Sequence, residues 1–87
     1  MKPEFFFQVV KDIVKERGDN YGSAAENMQN IADRWSMTLG RKVTPAQVVL
    51  CMIDVKMSRL QYRMSADSVQ DIAGYAAVLN QVMYDGS

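Results

Sequence analysis

The chain has 87 residues, with ten basic and ten acidic side chains and a formal net charge of +0. That length makes one domain, 1–87, with a modest core, and the charge balance excludes a nucleic-acid binder that relies on bulk positive charge. With a lone Cys51 and no His, an intramolecular disulfide, zinc coordination and His-based catalysis by this chain are excluded, and a reducing cytoplasm is the expected setting.

Hydrophobic residues make up 48%, with seven Met and the run Phe5-Phe6-Phe7. This is more apolar material than one small core hides, so self-association as a homo-oligomer is expected. The apolar run from Phe5 to Val10 is interrupted by Lys11 and Asp12, far short of the roughly 20 residues of a membrane span, so neither a membrane partner nor a secretory leader is expected.

The first helix is expected from Pro3 to Arg17, with Pro in the first turn and Gly18 as the stop. Phe6, Val9, Val10, Ile13 and Val14 form its apolar stripe. The turn formers Gly18 to Gly22 follow. Ser23 then resembles an N-cap, with Glu26 as its capping-box partner. The second helix runs to Leu39 and buries Met28, Ile31, Ala32, Trp35 and Leu39; Gly40 closes it.

Thr44-Pro45-Ala46-Gln47 carries cap, first-turn Pro and capping-box Gln. The third helix extends to Tyr62, with Val48, Val49, Met52, Ile53, Val55 and Leu60 inward and Cys51 as a small buried hydrophobe. A turn at Met64-Ser65 leads to the fourth helix, Ala66 to Tyr84, with Val69, Ile72, Ala73 and Ala76 facing the core. The fold class is all-α. Short loops favour a four-helix, mostly antiparallel bundle.

Several side chains carry chemistry that packing does not require. Asp67, Asp71 and Tyr75 fall at i, i+4 and i+8 and line one stripe of the fourth helix. The two carboxylates can hold Mg²⁺, pair with basic residues or sit in water, and Asp67 can also cap its helix. Lys56 and Arg59 share a face of the third helix. They can bind phosphate oxygens or pair with Asp67 and Asp71 across the hairpin. Tyr21 can stack on a base or pack on the bundle end. Asn27 can hydrogen-bond a base edge or ribose, or stand exposed. Gly74, in mid-helix, serves either close helix packing or room for a ligand.

The residues Tyr21-Gly22, Asn27, Ile31, Trp35, Leu39-Gly40, Thr44-Pro45, Val48, Met52, Lys56 and Arg59 add up to a pattern with the segment Asp67 to Ala76. On it the chain is identified as a member of a family of small phage and prophage proteins sometimes labelled MazG-like. The match runs from Arg17 to Leu79. The resemblance implies a helical, oligomeric protein related to the all-α nucleoside triphosphate pyrophosphohydrolases, which hold Mg²⁺ with Glu-x-x-Glu and Glu-x-x-Asp motifs. Asp67 and Asp71 resemble the second motif at a spacing of i, i+4. The first motif is missing, and Glu26 is the nearest substitute.

The resemblance thus implies Asp67 and Asp71 as catalytic residues and, with Glu26, as Mg²⁺ ligands. Lys56, Arg59, Tyr21, Asn27 and Tyr75 would bind a nucleotide or related phosphorylated small molecule. Two alternatives stand beside hydrolysis. One is sequestration of a nucleotide signal without catalysis. The other is a module that acts on a host protein through its Phe- and Met-rich surface.

Overall fold

Capping chemistry sets where the helices begin. The computed structural model describes residues 1–84, apart from the side chain of Tyr21. Its four helices are α1 (Pro3–Tyr21), α2 (Ala24–Leu39), α3 (Pro45–Tyr62) and α4 (Ala66–Tyr84), with no strand among the described residues. At α3 the Thr44 hydroxyl accepts from the Gln47 N–H at 3.2 Å, and the Gln47 side-chain oxygen accepts from the Thr44 N–H at 2.9 Å. This reciprocal pair satisfies two donors that a helix start leaves open. Ser23 caps α2 by accepting from the Glu26 N–H at 3.4 Å. At α4 the cap is Ser65, not Asp67: the Ser65 hydroxyl accepts from the Ser68 N–H at 3.2 Å.

The stop of α1 differs from the sequence expectation. The helix continues through Gly18 and ends at Gly22, where φ is +79° and ψ −153°. An L side chain rarely adopts that backbone, so Gly22 breaks the helix by geometry. Gly18 only lowers helix propensity and is carried along. Gly40 ends α2 in the left-handed region. The Ser36 hydroxyl then ties down the connection, accepting from the Val43 N–H at 2.8 Å and donating to the Ala32 carbonyl at 2.7 Å.

The core is small. Ala25, Met28 and Ala32 of α2 meet Val48 and Val49 of α3 and Val82 of α4. Ile31, Trp35, Met52, Ile53, Tyr75, Val78 and Leu79 pack around them. The helix α4 touches all three others, and α3 is its main partner. By contrast, α1 packs on α4 and slightly on α2, and makes no contact with α3.

That arrangement corrects several expected core positions. Val55 lies two turns past Val48 on the same side of α3, yet it is 43% exposed, because α1 does not reach that part of α3. Leu39 is 63% exposed as the last residue of its helix. On α4, Val69 and Ala76 are exposed, while Val78, Leu79 and Val82 take the core. Ser68 is buried in the first turn of α4, its hydroxyl 3.1 Å from that of Ser65. Cys51 is exposed on the outer side of α3.

The surface is large for the mass. The chain exposes 6505 Å², where a compact monomer of this size exposes about 5,200 Å². Its radius of gyration is 13.7 Å, against about 12 Å for a compact chain of the same length. Phe5, Phe7, Leu50, Met57 and Tyr62 are among the exposed apolar side chains. No helix among the described residues is long and apolar enough to cross a membrane.

The cap at Thr44 is the most isolated of these features and gives a direct test. Thr44→Ala removes one half of the reciprocal pair and should cost about 1 kcal/mol. A fall of about 4–8 °C in the thermal midpoint, read by circular dichroism at 222 nm, is expected.

Candidate ligand-binding site

Because α1 stops short of α3, a space remains between them. It is a cavity of about 540 Å³, roofed by α4 and closed at one end by the start of α2. From α1 come Ile13, Val14, Arg17 and Gly18; from the α2 start, Gly22, Ser23, Ala24 and Asn27. The α3 contribution is Lys56, and α4 brings Gln70, Asp71, Gly74, Tyr75 and Val78. These α4 residues recur at helical spacing and form one face.

Lys56 and Asp71 make the wall's ion pair. The ammonium Nζ stands 3.0 Å from Asp71 Oδ2, with side-chain exposures of 14% and 25%. Enclosed charges of this kind require a partner, and here each supplies the other's. An ammonium has three N–H donors, so Lys56 retains donors beyond the one given to Asp71. Arg17 adds a second cation on the rim, leaving one positive charge in excess on the cavity wall. The first N–H groups of α2 lie at the same end, that of Glu26 taken by the Ser23 hydroxyl. Asn27 offers both donor and acceptor, and Tyr75 lines the cavity while also packing on the core.

A second cavity of about 410 Å³ adjoins the first, sharing Ile13, Arg17, Gln70 and Asp71 with it. Glu16, Asn20 and Asp67 complete it. It is the more polar of the two.

Among the residues singled out from sequence, Lys56, Asn27, Asp71 and Tyr75 come together around the first cavity, and Asp67 lies on the second. Arg59 is exposed and lines neither. Three residues past Lys56, it is rotated about 60° around the helix from the cavity-facing direction. Glu26 is also exposed and lines neither cavity. It sits in the first turn of α2, rotated about 100° around the helix from the cavity-lining Asn27. The Tyr21 side chain lies outside the described residues.

The Mg²⁺ set of Glu26, Asp67 and Asp71 is not brought together. Among the described residues no three acidic or other metal-ligating side chains gather closely enough to hold a metal ion. Asp71 is engaged by Lys56, Asp67 faces the neighbouring cavity and Glu26 points elsewhere.

Sequence reading missed Arg17, which lines both cavities. It is the last residue of the helix expected from sequence, and a lone cation there carries no distinctive signal. It shares a face with Ile13, one turn earlier. Gln70, adjacent to Asp71's stripe, was missed because an uncharged amide on a helix carries no distinctive signal.

An all-α bundle with an ion-paired, partly apolar cavity is the class of molecule that fold and site define. The chain belongs to the family described as a domain of unknown function (DUF6378), whose sequence profile matches residues 6–83. It is a small phage-like protein, similar to the Gene 55 protein of Mycobacterium phage L5 at 39% identity over 69 residues. The aligned part is 77% of this chain and 44% of that protein, so the chain spans less than half the length of this relative. No solved structure matches the chain.

The two acids of α4 should separate in a denaturation experiment. Asp71→Ala leaves Lys56 enclosed without its partner and should cost about 1–3 kcal/mol in urea unfolding. Asp67→Ala touches an exposed side chain and should stay within about 0.5 kcal/mol of wild type.

Proposed function

We propose that the protein binds a nucleotide or a related phosphorylated small molecule in the larger cavity, inside the host cytoplasm and as a homo-oligomer. The observation that carries this reading is the placement of Lys56, still with free donors, in a cavity of about 540 Å³ beside Asn27, Tyr75 and Arg17. The volume lies within the range of small-molecule sites, which combine apolar walls with a few convergent polar groups. Lys56, Arg17 and the α2 start suit a phosphate. Tyr75 and the apolar lining suit a ring.

Binding without hydrolysis is the reading this geometry supports best. One excess positive charge on the wall suits a ligand with few negative charges, and the acids do not converge on a metal position. Sequestration of a nucleotide signal follows naturally from such a site. The second reading is MazG-like pyrophosphohydrolysis with Mg²⁺. What favours it is that Glu16, Asp67 and Asp71 line the adjoining cavity. As placed, they do not gather into a set of three that could hold the ion.

Self-association is supported by the excess of about 1,300 Å² over a compact monomer. A standard interface buries about 800 Å² per partner, so the excess is enough for a stable contact between copies.

Two measurements test these points. Calorimetric titration with nucleoside mono-, di- and triphosphates, with and without Mg²⁺, should show binding that EDTA leaves intact and ligand recovered unchanged by mass spectrometry. Lys56→Ala should weaken it at least about tenfold, since a hydrogen bond from a charged group contributes about 1.5–3 kcal/mol. Absence of binding to the whole set contradicts the proposal, and release of pyrophosphate selects the second reading. In sedimentation velocity at tens of micromolar the chain should run as a dimer or larger; a monomer alone contradicts the oligomer.

A further inference from the structure

Among the described residues, two glycines have neither a backbone angle nor a close neighbour that calls for glycine. Gly22 and Gly40 are explained by backbone angles of φ +79° and +69°. Gly74 and Gly18 lie inside helices and have no such angle. Glycine within a helix is destabilising relative to alanine. The usual compensation is a neighbouring helix so close that a Cβ has no room.

That compensation is not present at either position. A Cβ on Gly74 would meet only Val14 Cγ2 at 3.9 Å, an ordinary van der Waals contact. A Cβ on Gly18 would meet nothing within 4 Å. Alanine at either place is therefore compatible with the fold, and the added methyl on Gly74 would even gain a contact with α1.

Both glycines line the same cavity, on two different helices. Gly74 sits in the middle of the α4 face formed by Gln70, Asp71, Tyr75 and Val78. Without side chains, these two positions expose flat stretches of helix surface to the cavity. Such a surface admits a planar group at van der Waals distance, where a methyl would hold it off.

We propose that Gly74, assisted by Gly18, is kept bare to seat the planar base of a nucleoside monophosphate, with the single phosphate at Lys56 and Arg17. This rests on the reading of the cavity as a nucleotide site, and it narrows the ligand to one bearing both a ring and a phosphate. The single excess positive charge on the wall matches a monophosphate better than a triphosphate. Gly74 acts here as a specificity-determining residue: it discriminates for the ring and leaves the phosphate contact untouched.

The test uses the full chain and two classes of probe, the four common nucleoside monophosphates and ribose 5-phosphate, titrated calorimetrically. Wild type should bind the best nucleotide at least about tenfold more tightly than ribose 5-phosphate. Gly74→Ala should raise the melting midpoint by about 4–8 °C. The same change should reduce nucleotide affinity about tenfold while leaving ribose 5-phosphate affinity unchanged. Gly18→Ala should act in the same direction.

If Gly74→Ala and Gly18→Ala bind the nucleotide as wild type does, the inference is overturned while the nucleotide site stands. Equal loss of both ligands, or a lowered melting midpoint, also overturns it, because the glycines would then serve the fold. If wild type binds neither class of probe, the nucleotide reading itself fails and takes this inference with it.

Discussion

The seam between α3 and α4 holds the molecule together, and the Lys56–Asp71 pair is where that seam opens on to the cavity. At its apolar end, Val48 and Val49 meet Val82 with no exposure at all. At its polar end, Lys56 reaches Asp71 at 3.0 Å. The apolar contacts supply stability through area removed from water. The ion pair adds little net stability by itself, since desolvation offsets most of the Coulomb attraction. Its structural effect is directional. Losing one partner leaves a charge without compensation, so α3 and α4 are held in the register that keeps the two together.

The other helices arrange themselves around that seam. The second helix adds Ala25, Met28 and Ala32 to the core. The first helix leans on α4 and does not reach α3. A four-helix protein that closed this gap with large apolar side chains would be more compact and more stable. Instead the gap stays open, its apolar wall of Ile13, Val14, Tyr75 and Val78 interrupted by glycines and by the polar Arg17, Lys56, Asn27 and Asp71. Departures from what folding alone favours tend to cluster at functional sites. Here small core, open gap and excess surface are one departure, not three.

Much of the helical frame was legible in the sequence, because caps are local chemistry. Thr44-Pro45 and Gln47 fixed the start of α3, and Ser23 the start of α2. The stop of α1 was not legible at Gly18, since a glycine inside a helix and one that ends it differ only in backbone angles. The buried face of α4 was read a few positions off. Alanine and valine there satisfy a periodic pattern, but three neighbouring helices decide which arc is covered. At the site, charge and spacing singled out Lys56 and Asp71. The same signal picked Arg59 and Glu26, which lie elsewhere, because periodicity places residues on a face without saying what that face meets. Arg17, an isolated cation near a helix end, and the small residues of the cavity have no chemical signature of their own.

The proposed ligand site is the gap between α1 and α3. Amide chemical-shift mapping on the labelled protein tests it most directly. Addition of a nucleoside monophosphate should shift the resonances of Arg17, Gly22, Asn27, Lys56, Asp71 and Gly74, with those of Leu50, Cys51 and Met57 on the outer side of α3 unmoved. Shifts confined to that outer side, with the cavity residues silent, would contradict the account.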